Sequence, residues 1–406
     1  MKINRWLQKI ALILVISCWP IAQVVAQNTF EATVVDAITR EPLPFASIYV
    51  NAASSTITNR EGGFSVSCDS TAVLRISYVG YETMSLPCTQ LSPVIALSPI
   101  EQKIQEVVVL PYPLKKFIRQ TTKETLKQLQ KFRKHPSKFF YRQTAFNDST
   151  CYELLESFLI GHAAVALRDL QLVKGRYAGI RSDSIHKYSF FGNFFTCSQI
   201  EFASRSDMPL YSEDIVPLFR NYQRFYDVDY DVIGDQPDRI IVLYFEPKPE
   251  VERPIVATTI YVDEQTLHVR KLEGQLRNII ILKSENEMGP DSVPKIIKKA
   301  YRSTFDFVVN MTEEHGFTEV QSVYVAEQHG QDEERQFTRS LLFNLGEEDS
   351  KVGEKQLMFG DNLHNCIEEQ DYDADFWRQN EVVKRTPVEE AVMQLFEDKK
   401  LFGVWK

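Results

Sequence analysis

The sequence lacks the short motifs that mark the common catalytic and cofactor-binding sites. It contains no HExxH, no GxSxG, no P-loop and no dinucleotide-binding fingerprint, so the enzyme classes that use them receive no support. Cysteine is scarce, with six in 406 residues and none in a CxxC pair, which gives no support to a zinc ribbon or a thioredoxin-like redox site. We therefore predict a protein without enzyme activity and assign no catalytic residue, no cofactor and no metal ligand.

Positive charge is also in deficit. The chain has 46 Lys and Arg against 55 Asp and Glu, a net charge of −9, whereas nucleic-acid binding depends on cationic side chains. We therefore expect no nucleic-acid partner. Beyond residue 26 no apolar run reaches the ~20 residues of a transmembrane helix, so we expect none in the mature chain. With 44% hydrophobic and 12% aromatic residues, the chain can build sizeable cores in two or three domains.

Residues 1–26 have the pattern of a secretory signal peptide. Three cations precede an apolar run at residues 10–19, and small side chains stand just before a predicted cleavage site after Ala26. Pro20 ends the run too early for an uncleaved membrane anchor. We expect export to the periplasm or to the outer membrane. Lipid attachment at Cys18, which ends a loose lipobox, is a minor alternative because the chain stays apolar after it.

Five cysteines follow the signal segment, an odd number that leaves at least one free thiol or an intermolecular bond. Cys68 and Cys88 fall in one small predicted domain, where they form either a disulfide or two buried thiols. Cys151 and Cys197 could act as nucleophiles only with a histidine and an orienting group that the sequence does not place.

Residues 27–98 are predicted to form the first domain, a β-sandwich. Seven short strands fit into this region, and none of it has helical periodicity. Gly62 and Gly63 occupy a predicted turn, where glycine supplies the positive φ that such turns need.

Three blocks in this domain resemble a known family. They are residues 41–48 (EPLPFASI), 55–64 (STITNREGGF) and 76–82 (ISYVGYE), and they look like the carboxypeptidase-regulatory-like domain. The resemblance implies a transthyretin-like β-sandwich of the kind found in exported Bacteroidetes proteins. It also implies an accessory module without peptidase activity.

A proline-bounded linker at residues 99–113 leads to a predicted amphipathic helix at residues 114–134. Between residues 115 and 134 there are eight Lys or Arg and one acid, Glu124. Such a helix either binds anionic headgroups or an acidic partner, or presents a solvated basic face. The solvated face is the interpretation we favour.

Residues 114–406 are predicted to form a second, larger β-rich domain, which makes the fold mainly β with an α+β character. An antiparallel meander of eight or more strands explains residues 137–345, with one face in solvent and the other buried. A final helix at residues 387–400 begins with Thr386 and Pro387, and Glu389 stands at the capping-box position.

Two groups of potential metal ligands occur, and neither has the spacing of an established site. Asp227, Asp229 and Asp231 alternate along one predicted strand and share a face. They lack the glycine and distal glutamate of a calcium loop, so we interpret them as solvated. His364 and Cys366 have no third ligand at suitable spacing.

The second domain resembles an uncharacterised Bacteroidetes envelope family and, at the level of fold only, half-barrels that shield lipids. The resembling residues are 139–142 (FFYR), 175–176 (GR), 238–247 (DRIIVLYFEP), 260–267 (IYVDEQTL) and 375–377 (DFW). We expect a non-enzymatic exported envelope protein that binds a protein or lipid partner. The alternatives are a periplasmic carrier of lipid or lipoprotein with an apolar cavity, and an uncharacterised hydrolase. The oligomeric state stays open.

Overall fold

The fold is mainly β. A computed structural model of the chain describes residues 29–51, 54–69, 71–100, 110–148, 150–163, 167–179, 216–235, 237–251, 255–288, 294–312, 316–328, 334–349, 357 and 363–403. An N-terminal sandwich precedes a ten-stranded antiparallel sheet, and four helices pack around that sheet. The predicted fold class is confirmed.

The sandwich contains the seven expected short strands. These are β1 (Thr29–Asp36), β2 (Ser47–Asn51), β3 (Ser54–Ile57), β4 (Gly63–Ser67), β5 (Val73–Ser77), β6 (Met84–Pro87) and β7 (Val94–Leu97). They form one sheet in the order β4-β1-β7 and another in the order β3-β2-β5-β6. Phe64, Leu74 and Ile76 are fully buried in its core. Gly62 has a φ of 74°, as its turn requires, and a Cβ there would meet the carbonyl oxygen of Val34 at 2.5 Å.

A disulfide joins Cys68 to Cys88 across 20 residues of the sandwich. From the sequence, these two cysteines could form either a disulfide or two buried thiols. In the structure they form the disulfide. The bond ties the end of β4 to the segment that follows β6, which restricts the unfolded chain more than the folded one.

The second domain is built on a meander of long strands. These are β8 (Ser137–Asn147), β9 (Thr150–Ala163), β10 (Leu167–Gly179), β11 (Tyr226–Ile233), β12 (Ile240–Pro247), β13 (Ala257–Asp263), β14 (Val269–Met288), β15 (Pro294–Thr312), β16 (Gly316–Gln328) and β17 (Glu334–Glu347). Their order is β10-β9-β8-β17-β16-β15-β14-β13-β12-β11, with every pair antiparallel. The predicted meander is therefore confirmed.

Four α-helices accompany this sheet in the described part of the chain. They are α1 (Leu114–Lys131), α2 (Leu363–Glu368), α3 (Ala374–Gln379) and α4 (Pro387–Asp398). Helix α1 ends three residues before the predicted end and α4 two residues before it. Thr386 and Glu389 form the predicted capping box at the start of α4. In the described part of the chain, no helix has the length and apolarity needed to cross a membrane.

The two faces of the sheet pack against different layers. Phe139 and Tyr141 point to the face that α1 covers, where they join the largest hydrophobic core. Phe140 and Arg142, the alternate residues of β8, point to the opposite face, because neighbouring side chains of a strand alternate. The expectation of one solvated face holds at β11 but is wrong along β8, β9 and β10. There the sandwich and the C-terminal segment, residues 372–403, cover the second face, while α2 packs on the same side as α1.

Candidate functional site

A cluster of buried charges lies on the covered second face of the sheet. Glu156 of β9 is 1% exposed and accepts hydrogen bonds from the arginines on both neighbouring strands. Arg142 Nε of β8 lies 2.6 Å from Glu156 Oε1, and Arg176 Nε of β10 lies 2.7 Å from Glu156 Oε2. The strand register places these residues directly opposite one another. One carboxylate therefore holds two guanidiniums across three strands.

The electrostatics of this cluster favour the ionised carboxylate. Burial alone would raise the pKa of Glu156, but Arg176, Arg142 and Arg385 outweigh it and hold the pKa far below its ordinary value. The carboxylate in turn raises the pKa of Arg385 above its already high value, against the effect of burial. Glu156 and Arg385 are therefore both charged at neutral pH.

The C-terminal segment completes the shell of the cluster. Trp377 of α3 lies under the guanidinium of Arg176, with 4.6 Å between Cζ and the ring centroid, a cation–π contact. Arg142 donates a hydrogen bond to the carbonyl oxygen of Val383 at 2.8 Å. The cluster therefore fixes the C-terminal segment on the sheet.

The sandwich docks onto the same segment through specific hydrogen bonds. Thr56 Oγ1 donates to the Val382 carbonyl oxygen at 2.8 Å, and Asn59 Nδ2 donates to that of Arg385 at 3.2 Å. Ile57 of β3 joins an apolar cluster with Trp377 of the C-terminal segment. The sandwich, the sheet and the C-terminal segment thus meet at one junction.

A small pocket opens at this junction, which we call the arginine pocket. All three parts of the molecule line it, and its charged or hydroxyl-bearing side chains include Arg60, Arg142, Arg339, Lys384, Thr386 and Glu389. Its volume is about 30 Å³, which is room for about two water molecules. The pocket therefore accommodates a small polar group rather than a large ligand.

A second charged surface lies on the other side of the sheet, on the outward side of α1. Phe117, Ile118 and Leu129 of this helix are fully buried against the sheet. The opposite side is exposed and carries six cations, and two more follow the helix end: Lys115, Lys116, Arg119, Lys123, Lys127, Lys131, Arg133 and Lys134. Glu124 is the one acid among them, and Lys127 lies 3.2 Å from it. We call these eight cations the basic face.

The aspartates considered in the sequence occupy an exposed strand edge. Asp227, Asp229 and Asp231 are all exposed on β11, which agrees with a solvated face. In the ranges that the structure describes, no three acidic, histidine or cysteine side chains converge as a metal site would require.

Of the two cysteines considered as nucleophiles, the structure describes Cys151, and it lies at neither site. Cys151 is buried on β9, and burial raises the pKa of its thiol to about 12, so it is protonated at neutral pH and a poor nucleophile. Cys197 lies outside the described residues. Cys366 is a partly exposed thiol on α2.

Sequence reasoning missed the charge cluster and the arginine pocket. Arg142 and Arg176 stand in the blocks that resemble the envelope family, but no sequence spacing pairs them with Glu156. Alternating charged residues within otherwise apolar strands were the available signal, since a charge on a covered face needs a partner.

The fold and junction define a two-domain β protein whose N-terminal sandwich is docked on a larger antiparallel sheet. Residues 31–109 match the model of the CarboxypepD_reg-like domain family. The family expected from the sequence is therefore confirmed for the N-terminal domain, and the match extends through most of the segment expected to be the linker.

Comparison with whole proteins adds little. Two mutants of the Rh. blastica porin are similar at 7% identity, covering 52% of this chain and 99% of that chain with a TM-score of 0.12. Similarity at this level does not establish a shared fold. No curated protein matches the chain.

Proposed function

We propose that this protein is a non-enzymatic, exported protein of the cell envelope that binds anionic lipid headgroups through its basic face. The single observation that carries this proposal is the exposure of eight cations beside one acid on α1 and the three residues that follow it, in a chain whose net charge is −9. The expected signal peptide and the CarboxypepD_reg-like sandwich support the placement in the envelope.

The basic face suits the surface of a bilayer rather than insertion into it. Its helix is fixed, because the apolar side of α1 is buried in the core of the sheet. Each Lys or Arg near an anionic membrane contributes about 1 kcal/mol of attraction. Tyr112, which is 38% exposed, lies beside the face with Lys116 Nζ 4.3 Å from its ring centroid, and an amphipathic ring of this kind is favoured at the membrane interface.

Vesicle co-sedimentation tests the lipid partner. We expect the purified protein to sediment with phosphatidylglycerol vesicles but not with phosphatidylcholine vesicles. Salt at 0.5 M should release the bound protein, because it screens the attraction between surface charges. Replacing Lys115, Lys116, Arg119 and Lys123 by Gln should abolish sedimentation. A matched variant that replaces Arg75, Arg302, Lys399 and Lys400 removes the same charge from exposed positions elsewhere and should bind normally.

Two results would contradict the proposal. Equal loss of binding in both quadruple variants would show attraction to net charge rather than to this face, and binding to phosphatidylcholine would show that charge is not the determinant. Cell fractionation tests the compartment, with a chain lacking residues 1–26 as the control. Recovery of the complete chain from the cytosol would refute export.

A further inference from the structure

Two arginines of the arginine pocket form no ion pair with any of the carboxylates that the structure describes. Arg60 comes from the turn after β3 in the sandwich, and Arg339 comes from β17 of the sheet. Neither side chain forms an ion pair within the part of the chain that the structure describes. Both are only partly exposed, so solvent does not fully replace the missing partner.

The other charges of the pocket are already engaged. Arg142 is held by Glu156 and by the Val383 carbonyl oxygen. Glu389 accepts hydrogen bonds from the backbone nitrogen and the hydroxyl of Thr386, at 2.8 and 3.1 Å, as part of the capping box. The pocket therefore has an excess of positive charge on Arg60 and Arg339.

Aromatic rings hold both guanidiniums in place. Arg60 Cζ lies 5.5 Å from the ring centroid of Phe45, which also lines the pocket. Arg339 Cζ lies 5.4 Å from the ring centroid of Phe146 and 5.1 Å from that of Phe337, and these two rings stack on each other. Each guanidinium gains cation–π attraction from the rings beside it, and this contact does not use the N–H donors that bind an anion.

Repulsion between the two arginines affects the pKa of Arg60. Burial lowers the pKa of Arg60, and the charge of Arg339 lowers it further, while Glu389 offsets only part of this effect. Two neighbouring cations in a partly desolvated pocket favour a bound counter-charge.

We propose that the arginine pocket binds a single oxyanion group, a phosphate or a carboxylate, through Arg60 and Arg339. Planar guanidiniums bind such groups with paired N–H donors. The volume of about 30 Å³ fits one such group and is far below the roughly 300–1,000 Å³ of pockets that enclose whole ligands. Because Arg60 belongs to the sandwich and Arg339 to the sheet, the anion joins the two domains.

Thermal unfolding and calorimetry of the purified protein test this site with phosphate and with acetate, each against sodium chloride at equal ionic strength. We expect phosphate, acetate or both to raise Tm above the chloride value and to show saturable binding. Phosphate alone would identify a phosphate site and acetate alone a carboxylate site. Arg60→Gln and Arg339→Gln should each weaken binding by about tenfold or more, since each removes one charged donor pair.

The variants also carry a signature that a purely structural role would not produce. In chloride alone, Arg60→Gln and Arg339→Gln should change Tm little, because loss of the cation–π contacts opposes the relief of repulsion between the two cations. In the presence of the anion they should unfold below the wild type. Arg75→Gln in the sandwich and Arg302→Gln in the sheet change exposed arginines and should behave as the wild type in both solutions.

Three outcomes would overturn the proposal. They are a wild-type Tm that follows ionic strength alone, anion binding that survives both pocket substitutions, and a Tm of either pocket variant that is lowered equally in chloride and in the anion. The site does not depend on the basic face, so the quadruple variant of α1 should bind phosphate or acetate as the wild type does. If it does not, the anion binds at the basic face and the pocket assignment is wrong.

Discussion

Glu156 Oε1 lies 2.6 Å from Arg142 Nε across neighbouring strands, and the two side chains are 1% and 4% exposed. Together with Arg176 they form an ionic group that water cannot stabilise if one member is lost. The cost of leaving a buried charge without its partner is larger than the net gain from forming the pair.

Glu156→Gln should therefore destabilise the protein by about 3–5 kcal/mol, because it leaves Arg142 and Arg176 buried without a counter-charge. Urea unfolding at pH 7 measures the change. Glu347→Gln on β17 removes an exposed carboxylate and should change stability by less than about 0.5 kcal/mol. Equal effects of the two substitutions would mean that the cluster contributes no stability of its own.

The Glu156 carboxylate should make the stability of the protein depend on pH in acidic solution. Its folded-state pKa lies below the ordinary value of 4.5, so its contribution is complete above that value and is lost as the pH falls toward the folded-state pKa. The wild type should lose stability below about pH 4.5 more steeply than Glu156→Gln does. Parallel stability curves for the two proteins in this range would contradict the assignment.

Glu319 should produce the opposite dependence on pH. It is fully buried on β16, and burial raises its pKa to about 8, although hydrogen bonds from Asn310 and Gln321 and the charge of Lys271 act in the other direction. Between about pH 4.5 and 8 the unfolded carboxyl ionises while the folded one keeps its proton, so stability falls as the pH rises. Glu319→Gln should flatten this decline, measured by urea unfolding from pH 5 to pH 8. An unchanged slope would show that another group titrates there.

Trp377→Ala tests the packing of the C-terminal segment. The indole is 3% exposed and contacts Phe158 and Arg176, so its removal should cost about 3–5 kcal/mol. Val388→Ala on α4 is the control, because Val388 is 50% exposed. A loss of less than about 1 kcal/mol for Trp377→Ala would show that the segment is not an integral part of the fold.

Removal of the Cys68–Cys88 disulfide should destabilise the sandwich by about 2–4 kcal/mol through the greater freedom of the unfolded chain. Thermal unfolding of a Cys68→Ser/Cys88→Ser variant measures the effect, and Cys366→Ser, which changes a partly exposed cysteine outside the sandwich, provides the control. Alkylation without reductant followed by mass spectrometry should leave Cys68 and Cys88 unmodified. Their alkylation in the native protein would show that the bond does not form.

Local patterns predicted most strands of the two sheets and the helices α1 and α4, but not α2 or α3. Alternation predicted the sandwich strands and the long meander, and the sequence from Thr386 to Glu389 predicted the capping box, because each depends on residues close in the chain. The junction could not be predicted in this way. Glu156 meets Arg142 and Arg176 only in the register of three strands, and Arg385 is more than 200 residues away in sequence.

The covered second face was missed for a related reason. Charged residues that alternate with apolar ones usually mark a solvated face, and Arg142, Glu156 and Arg176 fit that rule when each strand is considered alone. Only the docking of other parts of the chain turns them into buried partners. The position of Arg60 beside Arg339 depends on the same docking.

The order of the chain constrains how the charge cluster can form. Val383 and Arg385, which close it, follow every strand that they cover, so Glu156 stays open to water until this last part of the chain has docked. Until then, the surface that Trp377 covers in the folded protein is exposed to solvent, and this surface includes the ring of Phe158. A chain arrested before residue 377 should therefore be a good substrate for chaperones that recognise exposed apolar surface.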